Sequence, residues 1–457
     1  MSTVSGVRNR WGAVADRARS SLWPVPVACI AVALALGVLM PRVDRAFDES
    51  MPTWVTTLLF GGGPDAARTV LDAVASSLIT VTSLTFSLTV VTLQLASSQF
   101  SPRLLRTFTR DRFVHWTLGV FLGTFAYALT VLRTVRSADE GAGEFVPRLS
   151  VTTTFVLAIV SVVVLVLFLA HLASEIRVET MLLRVQRDAA DALDASFARD
   201  AEQSLGRRIR RRDLPAAPDD SVLLLAPASG FLVSVDDADL LAAAGDAGAT
   251  IRIDSEPGSW LVEGVPIGRA WSRGGGQLSL VGAERVRECV ARSVLTGTER
   301  TSVQDIAFGL RQLTDVATKA LSPGINDPTT AVHALGHAST LLSRAARHQP
   351  GPVLIEDDRG RVILVRPDLA DLIELAVSGP RRYGAADPDV LTRLLELLRE
   401  VAWASSPDDH AGIALSIDRL HALIARRTCD DADVDRLLVA EAAARVAMDG
   451  RWTDPAA

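Results

Sequence analysis

SVTTTFVLAIVSVVVLVLFLAHL, residues 150–172, runs for 23 residues without an Asp, Glu, Lys or Arg. A hydrocarbon core of about 30 Å is crossed by roughly 20 apolar helical residues, so this stretch predicts a transmembrane helix. Working outward from it, three further apolar runs of sufficient length precede it, at residues 22–40, 70–96 and 114–132. The chain has 457 residues, of which 49% are hydrophobic and 22% charged, and its mean hydropathy is +0.26. That composition excludes a disordered chain or a nucleic-acid coat. The first run is longer than the apolar core of a signal peptide, and no small-x-small cleavage site follows Met40 before Pro41. It therefore reads as a retained anchor.

The loop arginines set the expected orientation. Arg8, Arg10, Arg17 and Arg19 precede the first span, and Arg103, Arg106, Arg110 and Arg112 crowd the second loop, whereas the first and third loops dilute three arginines each with acids. The first 180 residues carry 15 Arg against 12 acids, and the remainder 32 basic residues against 41 acids. Both termini are thus expected in the cytoplasm, with most of the acidic remainder there.

The second span is chemically unusual, because 11 of the 23 residues from Ser76 to Ser98 are Ser or Thr. At 100° per residue, Ser76, Thr80, Ser83, Ser87, Gln94 and Ser98 form one stripe. Thr82, Thr85, Thr89 and Thr92 form a second on nearly the opposite side. Two readings stand. Hydroxyls along one face can hydrate a permeating ion or polar solute, a homo-oligomer completing the pore, with Ser76, Thr80, Ser83, Ser87 and Gln94 lining it. Alternatively, small hydroxylated residues let helices pack closely and bond back to their own carbonyls. No charged residue lies deep in the four spans, which argues against a proton relay. His115 and His171 fall at span ends, where an imidazole is ordinarily solvated.

Beyond the membrane, the fourth span continues without a breaker, with Leu172, Ile176, Leu182, Val185 and Leu193 keeping a helical spacing, and predicts a stalk projecting inward. The arginine run Arg207–Arg212 reads as a linker or a contact for anionic lipid. Residues 221–281 hold short β-rich runs, SVLLLAP, GFLVSVD, ATIRIDS and SWLVEGVPIGRAW. The rhythm of PGSWLVEGVPIG is similar to biotinyl and lipoyl scaffolds, but the segment has no lysine to carry a prosthetic group. The expected fold class is an α-helical transmembrane domain of four spans followed by a mixed α/β cytoplasmic domain, mostly helical with a small β-barrel or sandwich insert. Its parts are a 1–21 tail, the membrane domain at 22–172, the stalk and linker at 173–220 and the β-rich subdomain at 221–282. A helical hairpin at 283–350 and a β-hairpin with C-terminal helices at 351–457 complete it.

The hairpin contains ERTSVQDIAFGLRQLTDVATKALSPGINDPTTAVHAL, residues 299–335. Ser302 and Asp305 read as a capping pair for its first helix, and Asp327-Pro328 as cap and first residue of its second. Its polar side gathers Arg300, Gln304, Asp305, Asp315, Lys319, Gly324, Asn326 and Asp327 as a candidate polar site. Asp315 and Lys319 also fit an i,i+4 pair, and SPGINDP fits a rigid turn held by its own Asn and Asp. Further on, PVLIEDDRGRVILVRP predicts a β-hairpin turning at Asp358–Gly360, and helices start at about Asp368, Asp387, Asp409 and Asp431.

FSLTVVTLQLASSQFSPRLLRTF (86–108), GFLVSVD (230–236), RTSVQDIAFGLRQLTDVA (300–317) and ALSPGINDPTTA (320–331) resemble the bacterial membrane proteins grouped as domain of unknown function 2254. The resemblance implies four transmembrane helices and a cytoplasmic region and supplies no activity; the location expected for the chain is the bacterial inner (plasma) membrane.

Enzyme chemistry is not legible. No G-x-S-x-G elbow, P-loop or G-x-G-x-x-G is present, and His333 and His337, although i,i+4, lack the glutamate of HExxH. The three cysteines, Cys29, Cys289 and Cys429, are too scattered for a CxxC metal site. No cofactor and no metal is expected, and the partners expected are the bilayer, further copies of the chain and a small ion or solute, not nucleic acid. The sequence thus predicts an oligomeric channel or transporter with a cytoplasmic regulatory domain, or else a non-conducting sensor or scaffold that binds a ligand or protein.

Overall fold

A computed structural model describes residues 23–47, 59–99, 111–136, 145–175, 177–202, 206–426 and 430–452. The N-terminal tail, Arg103, Arg106 and Arg110 lie outside the described residues, as does the side chain of Ser98. The chain divides into two units, Met1–Arg177 and Val178–Ala457.

The first unit contains α1 (Pro24–Phe47), α2 (Pro64–Gln99), α3 (Arg112–Leu132) and α4 (Arg148–Glu175). All four are long and apolar enough to cross a membrane. Each contains or nearly coincides with an expected apolar run and extends beyond it, because polar residues finish the turns. α1 continues through Pro41, where the sequence reading ended it. α2 has 36 residues, about 54 Å of helix at 1.5 Å per residue.

α3 is the hub: it is mostly buried while the other three are mostly exposed, and it packs against each of them. The sequence explains this through GVFLG at 119–123, a small-xxx-small pair of the kind that lets membrane helices approach. A Cβ on Gly119 would sit 2.8 Å from Cys29 Sγ, and one on Gly123 3.5 Å from the Cys29 carbonyl oxygen. Further along the same seam, a Cβ on Gly37 would sit 2.7 Å from Thr130 Cβ. At one end of the bundle, Asp44 of α1 is buried and caps α4. Its carboxylate accepts from Leu149 N at 2.8 Å, Ser150 N at 3.0 Å and Ser150 Oγ at 2.6 Å. Two backbone donors that helix α4 would otherwise leave unmet are thereby satisfied, and the Ser150 hydroxyl adds a third bond.

In the second unit, α5 (Val178–Glu202) is separate from α4, which ends at Glu175, so the unbroken stalk expected from the sequence does not form. The apolar spacing was read correctly, but its partner is internal: Met181, Leu182, Val185 and Leu193 are buried, and α5 packs on α8 (Phe308–Ala320) and α9 (Pro328–Arg347). Nor is the arginine run a free linker. β1 (Gly206–Arg208) is a sheet strand, Arg210 pairs with Asp408 at 2.5 Å, and Arg211 pairs with Glu256 at 2.8 Å and Asp371 at 2.9 Å.

The remaining strands are β2 (Val222–Leu225), β3 (Gly230–Val235), β4 (Ala249–Ile253), β5 (Trp260–Leu261), β6 (Pro266–Ser272), β7 (Val294–Gly297), β8 (Val353–Glu356) and β9 (Arg361–Leu364). They make an open six-stranded sheet in the order β1-β8-β9-β4-β6-β2 and a three-stranded sheet β5-β3-β7. A closed barrel is not found. The physical reason is that β4 pairs in parallel with β9, Ile251 opposite Val362, so the 353–364 hairpin extends the sheet that residues 222–272 begin. Helices α6 (Asp237–Ala247) and α7 (Leu280–Ser293) contribute Leu240, Ala244, Val286 and Val290 to its core. The hairpin turns as expected, Asp357 Oδ1 accepting from Arg359 N and Gly360 N.

α10 (Leu369–Tyr383), α11 (Pro388–Ala404), α12 (His410–Ile424) and α13 (Asp431–Met448) follow. Asp368 and Asp387 cap as expected; Asp409 holds the N-cap place without a side-chain bond, and Asp430 rather than Asp431 caps α13.

Removing the Asp44 cap should cost about 1–2 kcal/mol, in the range of buried N-cap losses. Asp44→Ala should therefore lower the unfolding temperature of the detergent-purified protein, with Asp44→Asn losing less because one acceptor survives. Gly119→Leu forces α1 from α3 at the Cys29 contact and should reduce the monodisperse yield after mild heating; an unchanged thermal profile would refute the seam.

Candidate functional site

The two hydroxyl stripes of α2 have different fates. Thr82, Thr85, Thr89 and Thr92 face into the bundle and are buried. Three of them bond back along the helix: Thr82 Oγ1 to Leu78 O at 2.6 Å, Thr89 to Thr85 O at 2.8 Å and Thr92 to Leu88 O at 2.9 Å. This stripe is packing. The opposite stripe, Ser76, Thr80, Ser83, Ser87 and Gln94, is exposed on the outside of the four-helix unit. Thr80 Oγ1 bonds to Ser76 O at 3.0 Å. A single chain therefore leaves this stripe uncovered and encloses no path along it.

The polar residues of the 299–335 stretch are not one cluster. Arg300 and Asp305 form a buried pair, with Arg300 Nε and Nη2 donating to Asp305 Oδ2 at 2.9 and 2.6 Å. The Asp305 side chain is 1% exposed, and its Oδ1 accepts from Ala307 N at 3.1 Å. Burial pushes the Asp305 carboxyl above the ordinary aspartate range, against the pull of Arg300. Gln304 lies against β3 like an extra strand residue, accepting from Val235 N at 2.9 Å and donating to Val235 O at 3.0 Å. Gly258, at φ +84°, passes so close that a Cβ there would strike Asp305 Oδ2. These residues clasp the start of α8 to the three-stranded sheet. The expected Ser302–Asp305 capping pair does not form, because Asp305 is committed to the clasp and α8 begins only at Phe308.

Asp315 and Lys319 lie one turn apart on α8, both half-buried. Gly324 and Asn326 are exposed in the turn, whose amides are taken up locally: Ile325 N and Asn326 N donate to Ser322 O, and Asp327 N to Ala320 O. Asn326 adopts φ 50°, a left-handed backbone that Asn tolerates. Asp327 caps α9, accepting from Thr330 N at 3.0 Å and Thr330 Oγ1 at 2.6 Å. Those bonds hold its carboxyl below the ordinary aspartate value. His337 is half-buried and bonds through Nδ1 to Gln186 of α5; burial pushes its pKa down. It serves the packing of α9 on α5.

Two features were missed in the sequence. Asp111, the N-cap of α3, accepts from Phe113 N at 2.9 Å through Oδ1 and meets His171 Nε2 at 2.6 Å through Oδ2. With Glu175, these donors all lie within 4.8 Å of one another. The solvated imidazole expected at His171 is thus half-buried and paired, and His115 is buried. The His171–Glu175 spacing of four was the available signal. The second feature is a groove of about 610 Å3 between the C-terminal ends of α9 and α11, lined by Arg344, Arg347, His348, Glu400, Trp403 and Trp452.

Removing the buried carboxylate leaves the half-buried Arg300 guanidinium and Ala307 N without their acceptor, and each lost hydrogen bond of this kind costs about 1–3 kcal/mol. Asp305→Ala should therefore unfold the second unit at markedly lower denaturant than the parent, followed by tryptophan fluorescence. For Asp327 the sign follows from its depressed pKa. The cap contributes above the unfolded value of about 3.9 and is lost as pH falls through the folded value. Stability should then fall less steeply between pH 5 and 3 in Asp327→Asn than in the parent.

Comparison with known proteins gives concordant results. Uncharacterized proteins of Mycobacterium bovis and Mycobacterium tuberculosis (strain H37Rv) are each 35% identical over 447 residues, covering 97% of this chain and 83% of theirs. No solved structure gives a significant match. The family described as "Predicted membrane protein (DUF2254)" matches residues 19–400. With four membrane-length helices and a family match over residues 19–400, the chain belongs to this family of membrane proteins.

Proposed function

We propose that the protein is a multi-pass protein of the bacterial plasma membrane, with both termini cytoplasmic, that assembles as a homo-oligomer and conducts an ion or small solute along α2. The observation that carries this reading is the exposed stripe Ser76, Thr80, Ser83, Ser87 and Gln94 on a helix whose Thr82, Thr85, Thr89 and Thr92 are turned inward. Hydrocarbon offers no hydrogen-bond partners. Copies of α2 gathered about an axis would place these hydroxyls against water and one another, where they can replace part of an ion's hydration shell. The second unit, in the cytoplasm, would regulate the path. Asp72 and Arg68, near one end of α2, line an open basin with Arg133 and Arg136, which gives that end polar access.

The alternative class, a non-conducting sensor or scaffold, draws on the groove between α9 and α11. It is no longer supported by Arg300, Gln304 and Asp305, whose polar groups are spent on the clasp.

Flux through the full-length protein in liposomes separates the two readings. Ser83→Leu with Ser87→Leu should cut flux at least about tenfold while insertion and stability are retained, since it lines the path with side chains that cannot hydrate an ion. Equal flux in parent and variant would remove α2 as the path. Absence of flux in correctly inserted parent protein would favour the sensor.

A further inference from the structure

We propose that Asp111, His171 and Glu175 form a binding site for one divalent transition-metal cation, with Zn2+ the ion whose preferences they meet. The inference is independent of the conduction reading, since it concerns one end of the α3–α4 pair and not the exposed face of α2. Three lines of geometry support it. First, the donor set is one imidazole nitrogen and two carboxylate oxygens. Calcium and magnesium select oxygen ligands alone, whereas Zn2+ accepts nitrogen and carboxylate oxygen together.

Second, the donors are already gathered, all within 4.8 Å of one another. Zinc holds N and O ligands at about 2.0–2.2 Å, so three of them around one centre stand about 3.3–3.6 Å apart. The His171–Asp111 contact of 2.6 Å would open slightly to reach that value, and the Glu175 carboxylate lies within 4.8 Å of both partners. His171 and Glu175 are one turn apart on α4 and present their donors on the same face. A fourth position is left for water.

Third, the surroundings are those of a supported ligand set. Asp111 Oδ1 is engaged by Phe113 N at 2.9 Å, which fixes the carboxylate and leaves Oδ2 turned to His171. The Phe113 ring lies 4.8 Å from the imidazole, centroid to centroid, and limits its rotation. Outer contacts of this kind orient metal ligands and set their affinity. Glu175 is buried and the Asp111 side chain is 14% exposed, so a cation between them is shielded from bulk water. A bound ion would cross-link the N-cap of α3 to the last turn of α4, three residues before the second unit begins at Val178.

The experiment uses the full-length protein in detergent, stripped with chelator and titrated with Zn2+ against a fluorescent zinc indicator, with Co2+ absorption as a second readout. One ion per chain is expected. His171→Ala and Glu175→Gln should each weaken binding at least about tenfold, given that even outer-shell losses cost 10–100-fold. His171→Cys, which keeps a zinc donor, should retain binding and add a thiolate-to-cobalt charge-transfer band, which guards against a variant that only misfolds. His333→Ala, a histidine of the second unit, should bind as the parent does. The proposal is overturned if the parent binds no ion, if the His171 and Glu175 variants bind as tightly as the parent, or if His333→Ala abolishes binding. A parent that binds no ion would leave His171–Asp111 as a helix-to-helix hydrogen bond only.

Discussion

The close approach of α1 and α3 is the constraint on which the membrane unit depends. In lipid the hydrophobic effect does not drive helices together, so packing distance and a few polar contacts must. Gly119 and Gly123 remove the side chains that would hold Cys29 away. That contact seats α1, and α3, so anchored, presents its remaining faces to α2 and α4. The Asp44 cap then fixes α4 against α1 through three hydrogen bonds. A carboxylate in that position would be expensive if unmet; with the first turn of α4 supplying its donors, it locks the helix start instead.

With α3 at the centre, α2 is left at the side of the bundle, and its two hydroxyl stripes are sorted. The threonines fall inside, where back-bonding to the Leu78, Thr85 and Leu88 carbonyls meets the demand of Thr82, Thr89 and Thr92 for partners. β-branched threonine fills space at such an interface as valine would. The serine and glutamine stripe falls outside. The packing reading thus describes the threonine face, and the exposed serine and glutamine face is the one on which the conduction proposal rests.

The apolar runs were legible because twenty residues of one character leave little choice of structure, and the α9 cap was legible because Asp327-Pro328 is a local signal. The sheet was not. β4 pairs with β9 across 111 residues, as Ile251 with Val362, and no spacing rule in either segment names the other. The strands at 222–272 therefore looked like a self-contained barrel when their sheet is completed by residues 353–364. The break between α4 and α5 escaped for a related reason. The amphipathic spacing is continuous through it, and spacing alone does not say whether a helix projects or folds back onto α8 and α9.

The polar residues around 300–327 show the same limit acting on function. Hydrogen-bonding capacity beyond what a turn needs can signal a ligand, or a distant partner in the same chain. Here Gln304 finds the backbone of Val235, 69 residues away in sequence, and Arg300 with Asp305 fills the space left by Gly258. By contrast, His171 and Asp111 are unremarkable one at a time at the ends of two spans, and acquire chemical meaning only when α3 and α4 lie side by side. Local density of polar residues is therefore a poor guide in this chain to which side chains face one another, and that is decided by which helix ends the fold brings together. Convergence leaves donor atoms facing each other, whereas density is absorbed by the backbone nearby.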